Sequence, residues 1–267
     1  MSAVFSSVRG ICDFCCREGQ TNLTDAMSYK AAGVDIDNAD AAKRDMAESL
    51  ETADARVLNR LGAFASLYDA SFPGYKHPVL VLKTEEPGSK QLLAFAHGRV
   101  ESICYDMINH LVNDIAVMGA RPLSVQDACI CGKLDRPTVK RIVAGIAAAC
   151  REQGCVLTGG ETSEQPGVLA AGSYVLTSSI VGVVEKTAII DGSRIAEGDL
   201  VLAAASNGLH TNGYSLVRAL IAKTPAILET RVGGETFLDA ILKPHRCYFK
   251  AIEGIFGLEA LTGMAHI

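Results

Sequence analysis

Short apolar runs alternate with helix-like stretches through the first two thirds of this 267-residue chain. Val79-Leu80-Val81-Leu82 follows Pro78 and reads as a buried strand. Leu123 to Cys131 alternates enough for another. Cys155 to Thr158 is a short strand running into Gly159-Gly160, and Tyr174 to Val184 is a long one rich in Val, Ile, Thr and Ser. Between them, residues 101–119 read as a helix ending at Gly119, with Pro122 just beyond. Asp135 caps a second helix whose first turn holds Pro137 and which runs to about Gly154. Any fold for this region must pack short strands together with helices.

The flanks are less regular. Residues 1–26 show no helical or strand period and read as a tail, while 38–60 are helix-like and charged. The polar, turn-rich stretch Glu185 to Gly198 reads as a domain junction. Beyond it, Asp199 to Ala205 reads as a strand and Gly213 to Lys223 as a helix. Leu238 to Phe256 reads as mostly helical, interrupted at Pro244. The last residues, Gly263 to Ile267, are apolar and abrupt for a domain end, which predicts a truncated product.

Composition narrows the class. Lys+Arg 25 against Asp+Glu 30 gives a net charge of −5, so the basic excess that a nucleic-acid surface needs is missing. Apolar content of 49% with so small a net charge excludes a disordered chain. No apolar run reaches the roughly 18–20 residues of a membrane span, and the N-terminus lacks the pattern of a signal peptide. A cytoplasmic globular protein is expected. Nine scattered cysteines, an odd number, fit reduced thiols better than a disulfide framework. Cys12, Cys15 and Cys16 contain one C-x-x-C, but four-ligand zinc needs a second pair, so an incidental tail is the preferred reading.

Familiar nucleotide motifs are absent. No two glycines are separated by one residue, which removes the dinucleotide fingerprint. Gly88-Ser89-Lys90 resembles the end of a P-loop, yet Lys83 stands where its first glycine belongs. Three polar constellations remain. Asp106, His110 and Asp114, with Asn113, share one face of the 101–119 helix. They suit a hard cation such as Mg²⁺ facing a phosphate, but the spacing alone favours a solvated polar stripe. Gly159-Gly160-Glu161 offers either close backbone approach to a ligand or an ordinary turn. Ser206 to Tyr214 is a polar loop before a helix, with N–H groups available to an anion and with His210 inside it.

The strings SYKAAGVDID (28–37), VNDIAVMGARPL (112–123), GKLD (132–135), GGETSEQPG (159–167), VGVVEKTAIIDG (181–192), SNGLHTNGYSLVR (206–218) and GMAHI (263–267) resemble the phosphoribosylformylglycinamidine cyclo-ligases, the aminoimidazole ribonucleotide synthetases of purine biosynthesis. The resemblance runs from about residue 28 to the last residue. It implies an α/β and α+β fold of two domains: an N-terminal mixed sheet with helices at 27–187, for ATP binding and dimerisation, and a partial C-terminal domain at 188–267. It implies ATP and Mg²⁺ in a cleft, a ribonucleotide substrate, a homodimer, and neither nucleic-acid nor membrane partners.

By the same resemblance, His210, Lys90 and Asp106 are catalytic. Lys90, Asp106, Asn113, Asp114, Gly159, Gly160, Glu161 and Asp35 bind ATP. Ser206, Asn207, His210, Thr211 and Asn212 bind the ribonucleotide, and Asp106, Asp114, Glu161 and Glu85 hold the metal. One segment departs from the family's glycine-rich G-T-D-G-V-G-T-K loop: here it reads Lys83-Thr84-Glu85-Glu86-Pro87-Gly88-Ser89-Lys90. Residues 61–68 likewise replace a glycine-rich segment. These departures leave open a weakened relative that only binds nucleotide or dimerises, or a synthetase or kinase for another small molecule.

Overall fold

The computed structural model describes residues 33–59 and 64–267. The expected tail with Cys12, Cys15 and Cys16 lies outside them, as do the start of the 28–37 string and Leu61 to Ala63. Helix α1 (Ile36–Leu50) begins at Asp35, whose carboxylate accepts from the Asn38 N–H at 3.1 Å. It stops ten residues short of the expected end at 60, and 51–59 are turns and irregular chain. Then come β1 (Pro78–Glu85), α2 (Lys90–Ala96), α3 (Val100–Ala116), β2 (Arg121–Cys131), α4 (Arg136–Glu152), β3 (Val156–Glu164) and β4 (Tyr174–Glu185). Asp135 caps α4 as its sequence predicts, accepting from the Thr138 N–H at 3.1 Å with Pro137 in the first turn. Gly119, at φ +78°, ends the α3 turn, and the Ala120 N–H reaches back to the Ile115 carbonyl.

The four strands form one mixed sheet in the order β1-β4-β2-β3. β4 runs antiparallel to both neighbours, whereas β2 and β3 are parallel and joined through α4. Helices α3 and α4 cover one face. Met107, Ile108, Leu111 and Ile115 of α3, Ile142 and Ile146 of α4, and Leu176 and Ile180 of β4 are all buried there. Among the described residues no helix lies on the other face. β1 is therefore not the buried strand expected from its composition: it is an edge strand with alternating exposure, and Leu80 and Leu82 are 52% and 70% exposed.

Gly159-Gly160 is no turn. Both glycines lie inside β3, where the register with β2 shifts between Val125 and Gln126. Gly160 faces Asp127, and a Cβ there would sit 2.0 Å from Asp127 Oδ1 and 2.3 Å from its carbonyl oxygen. The glycine makes room for a carboxyl group turned towards the helices. Burial pushes the pKa of Asp127 up to about 7.

Beyond β4 the chain forms α5 (Tyr214–Lys223), a two-residue-per-strand hairpin of β5 (Arg231–Val232) and β6 (Glu235–Thr236), then α6 (Phe237–Ile241) and α7 (Phe249–Ile252) on either side of Pro244. Asp199 to Ala205, expected as a strand, is not one. No described segment hydrogen-bonds along it, and Leu200, Val201 and Leu202 are over 90% exposed. Apolar, β-branched composition suits a strand, but only a ladder partner makes one. Tyr214, Val217, Ile241, Leu242 and Phe249 join the same buried cluster as α3, so this part of the chain packs directly on that helix.

Two outcomes test this description of the sheet. Gly160→Ala should destabilise the protein by about 1–3 kcal/mol, because backbone or the Asp127 carboxyl must shift; an unchanged urea midpoint would contradict the contact. Asp127→Asn should gain on wild type as pH rises. With its folded pKa raised from 3.8 to about 7, wild-type Asp127 favours the folded state below 3.8 and loses that contribution as pH approaches 7. Urea unfolding at pH 5, 6, 7 and 8 should show a widening gap that levels off above about 7. A gap independent of pH contradicts the burial of this carboxyl.

Candidate functional site

The polar face of α3 is a template for another stretch of backbone. Ser102 Oγ donates to the Leu242 carbonyl at 2.6 Å, and Asn109 Nδ2 to that of His245 at 2.7 Å. Asn113 Nδ2 donates to the Arg246 carbonyl at 2.8 Å while its Oδ1 accepts from the Tyr248 N–H at 2.8 Å. Asp106 Oδ1 accepts the His245 N–H at 2.7 Å. The stripe is neither solvated, as spacing alone suggests, nor open to a ligand along its length. Asp106, Asn109 and Asn113 are buried, their polar atoms turned to the 242–248 segment.

Lys90 meets Asp106 at 2.7 Å, and neither side chain is exposed. Lys90 Nζ also donates to the His210 carbonyl at 2.9 Å and to the Lys243 carbonyl at 2.7 Å, which uses all three of its hydrogens. Burial pushes Asp106 up to about 6 despite the lysine, and pushes Lys90 down despite the carboxylate. Lys90 and Asp106 therefore hold the 206–213 loop and the 243–245 segment in place; Lys90 has no hydrogen left for a phosphate, while Asp106 Oδ2 is buried without a partner. The loop runs from there to α5. His210 sits at φ +54°, its Nε2 buried and without a partner. Asn207 Nδ2 donates to the Pro244 carbonyl at 2.9 Å.

Four of the six histidines converge beside this loop. The rings of His210 and His245 stack at 4.0 Å, His110 lies 5.2 Å from His245, and His266 lies 5.0 Å from His245 and 5.3 Å from His110. Thr211 Oγ1 is 3.0 Å from His110 Nδ1 and 3.5 Å from His245 Nδ1. Burial, reinforced by the neighbouring histidines and Lys90, pushes His245 down to about 2. Burial also lowers His110 and His210, so all three are neutral at pH 7. Asp114 closes the group, 2.7 Å from His266 Nδ1 and 3.0 Å from Lys83 Nζ, which in turn meets Glu85 at 3.1 Å. Burial pushes Asp114 up, but His266, Lys83 and His110 outweigh it and hold its carboxyl below the ordinary range.

The expected set is thus only partly assembled. Lys90, Asp106, Asn113, Asp114, Glu85, His210 and Thr211 meet on one side of the sheet. Glu161 does not join them: it pairs with Ala128, one residue on from helix-facing Asp127, so it emerges on the open face. The expected metal carboxylates Asp106, Asp114, Glu161 and Glu85 do not form one cluster. Among the described residues, the groups of three metal-binding side chains within 4.8 Å are His210, His245 and His266, and His110, Asp114 and His266. Asp35 is elsewhere, in a cavity of about 490 Å³ lined by Gly33, Asn38, Lys133 and Glu164. Asp127, His245 and His266 were not singled out in sequence. Asp127 is the one charged residue inside the Leu123 to Cys131 strand run, and His266 lies in GMAHI, which were the available signals. His245 follows a proline in a segment read as interrupted helix and carried none.

Residues 75–184 match the family model of the N-terminal domain of AIR synthase related proteins. The phosphoribosylformylglycinamidine cyclo-ligase of Methylobacillus flagellatus is 45% identical over 91% of this chain and 70% of its own length. That of Chromobacterium violaceum is 44% identical over 91% of the chain and 71% of its own. A crystal structure of the hydrogenase maturation protein HypE in complex with ATP shares the fold, with a TM-score of 0.51 at 18% identity, over 80% of this chain and 55% of that one. No helix among the described residues is long and apolar enough to cross a membrane. Identity at this level, carried across nine tenths of the chain, settles the relationship: the chain belongs to the phosphoribosylformylglycinamidine cyclo-ligase family.

Proposed function

We propose that the chain closes the imidazole ring of aminoimidazole ribonucleotide from formylglycinamidine ribonucleotide, using ATP, as a cytoplasmic homodimer. Family membership supports the reaction, and one observation carries the site: the SNGLHTNGYSLVR loop is clamped by a buried ion pair and presents His210 with a buried, unpartnered Nε2. In this reaction the formyl oxygen takes the terminal phosphoryl group of ATP and becomes a leaving group. An amidine nitrogen then bonds to the formyl carbon and gives up a proton, and phosphate departs with the oxygen. The protein must position the reactants, offset phosphate charge and accept that proton.

The residues divide these tasks. His210 is neutral at pH 7 and is the proton acceptor. Lys83, whose side chain is 37% exposed, is the cation available to phosphates, in place of buried Lys90. Ser206, Thr211 and Asn212, with the first N–H groups of α5, receive the ribonucleotide. Gly159 and Glu161 are nucleotide contacts of the open sheet face, whereas Gly160 faces Asp127. Three carboxylates do not gather within 4.8 Å among the described residues; Mg²⁺, which takes one or two carboxylates together with phosphate oxygens, arrives with ATP as part of the substrate.

The experiment is phosphate release and product formation from ATP with and without formylglycinamidine ribonucleotide. Turnover that depends on the ribonucleotide is expected, with kcat about 10²-fold lower in His210→Asn. ATP hydrolysis indifferent to the ribonucleotide would instead favour a synthetase or kinase for another molecule. Dimerisation is proposed through the open face, where Leu80 and Leu82 stand exposed beside Val181. Sedimentation should show a dimer for wild type and a monomer for Leu82→Glu. Equal sizes for the two would place the contact elsewhere.

A further inference from the structure

The histidine cluster has a geometry that proton transfer alone does not require. Asn113 is fixed by backbone: Oδ1 accepts from the Tyr248 N–H and Nδ2 donates to the Arg246 carbonyl. Its Nδ2 therefore also points a hydrogen at His245 Nε2, 3.2 Å away, which makes that nitrogen a bare lone pair. His245 then carries its proton on Nδ1, towards Thr211 Oγ1. His266 Nε2 stands 3.1 Å from the same lone pair, while its Nδ1 donates to Asp114 at 2.7 Å. Two Nε2 atoms thus face each other 3.1 Å apart. One of the two imidazoles is oriented from behind by a carboxylate, the arrangement that backs histidine ligands in metal sites. A third imidazole, His210, lies within 4.8 Å of both and has the unpartnered nitrogen.

We propose that His210, His245 and His266 form a site for a divalent transition-metal ion of the zinc class, in which the ion lies between the facing Nε2 atoms of His245 and His266. Imidazole nitrogens suit this class and not Mg²⁺, which takes oxygen. Tetrahedral Zn–N bonds of about 2.0–2.1 Å place ligand nitrogens roughly 3.3 Å apart, close to the 3.1 Å found here. The third ligand closes by turning the His210 ring out of its stack with His245. The ion takes the His245 Nε2 lone pair from Asn113 Nδ2, which keeps its bond to the Arg246 carbonyl. Asp114 offsets part of the ion's charge, and the nearest lysines, Lys83 and Lys90, are each paired with carboxylates. Three protein ligands leave a fourth position for water or another small ligand. An ion here would occupy the nitrogen that His210 offers to the ring closure, so zinc would block that reaction, but the site itself stands on geometry independent of it.

The test is Zn²⁺ titration by calorimetry on the full chain, together with X-ray absorption at the zinc edge. Wild type should bind one ion through nitrogen ligands at about 2.0 Å. A chain with Cys12, Cys15 and Cys16 all changed to serine should keep that signal, since thiolate ligands would appear at about 2.3 Å. His245→Gln and His266→Gln should each weaken binding at least tenfold. Partly exposed His266 provides the check if the buried His245 variant fails to fold, and His97→Gln serves as a control that changes nothing. Sulfur-only coordination in wild type, or nitrogen-bound zinc surviving at wild-type affinity in His266→Gln, overturns the proposal.

Discussion

The buried contact between Lys90 and Asp106 fixes more of this molecule than any other single interaction. Taking both charges out of water costs several kcal/mol per ion, and attraction alone seldom recovers it. Here the lysine gives its three hydrogens to a carboxylate and two backbone carbonyls, and the same carboxylate oxygen takes the His245 N–H. Four separate pieces of chain meet at that point: the first residue of α2, the middle of α3, the loop at His210 and the segment at 243–245. His210 holds a left-handed backbone that non-glycine residues rarely adopt. Such a conformation persists only where its surroundings over-determine it, and the lysine bond to its carbonyl is one such restraint.

Helix α3 extends that clamp along its length. From Ser102 to Asn113 the helix rises about 16 Å, and six residues of extended chain span at most about 20 Å. The 242–248 backbone can therefore run beside the helix and meet a polar side chain at nearly every turn. The match explains why a helix so rich in Ile, Leu, Val and Met tolerates buried Asp106, Asn109 and Asn113 at i, i+3 and i+7. Each bonds an N–H or carbonyl of that segment that would otherwise be unpaired, although Asp106 Oδ2 and Asn109 Oδ1 keep no partner. Pro244 belongs to this design, because a segment read out by its neighbour's side chains must stay extended and not continue as helix.

Much of the sheet and its helices could be read from the sequence because local rules decided them. The Asp135 cap, the Gly119 stop and the β4 run are determined by a few neighbouring residues, and the structure follows them closely. Failures fell where a distant partner decides. Spacing reveals that Asp106 and Asn113 share a face, but not whether water or another backbone lies against it. Leu200 to Leu202 have strand composition without a ladder, and Leu80 and Leu82 look buried, yet they stand on the sheet face that no described helix covers. His245 and His266 are far from His110 in sequence, and only the clamp on α3 brings the three rings together.

The departure at residues 83–90 has a definite physical meaning in this setting. Where related chains carry a glycine-rich loop, β1 here continues in register with β4 as far as Glu85 opposite Ser178. The paired stretch Lys83 to Glu85 cannot offer phosphates the free N–H groups of a loop, and only Glu86 to Ser89 remain as unpaired chain. What replaces it is one ammonium on a flexible stem, Lys83, held between Glu85 and Asp114. A lysine acts as a point charge without the directional cradle of a backbone loop. Lys83 is already paired with two carboxylates, Glu85 and Asp114, and neutral His110 and His210 beside it add no positive charge. A lysine so paired has little charge to spare for a polyphosphate, so the charge that makes phosphoryl transfer feasible here must come largely with the nucleotide and not from the protein.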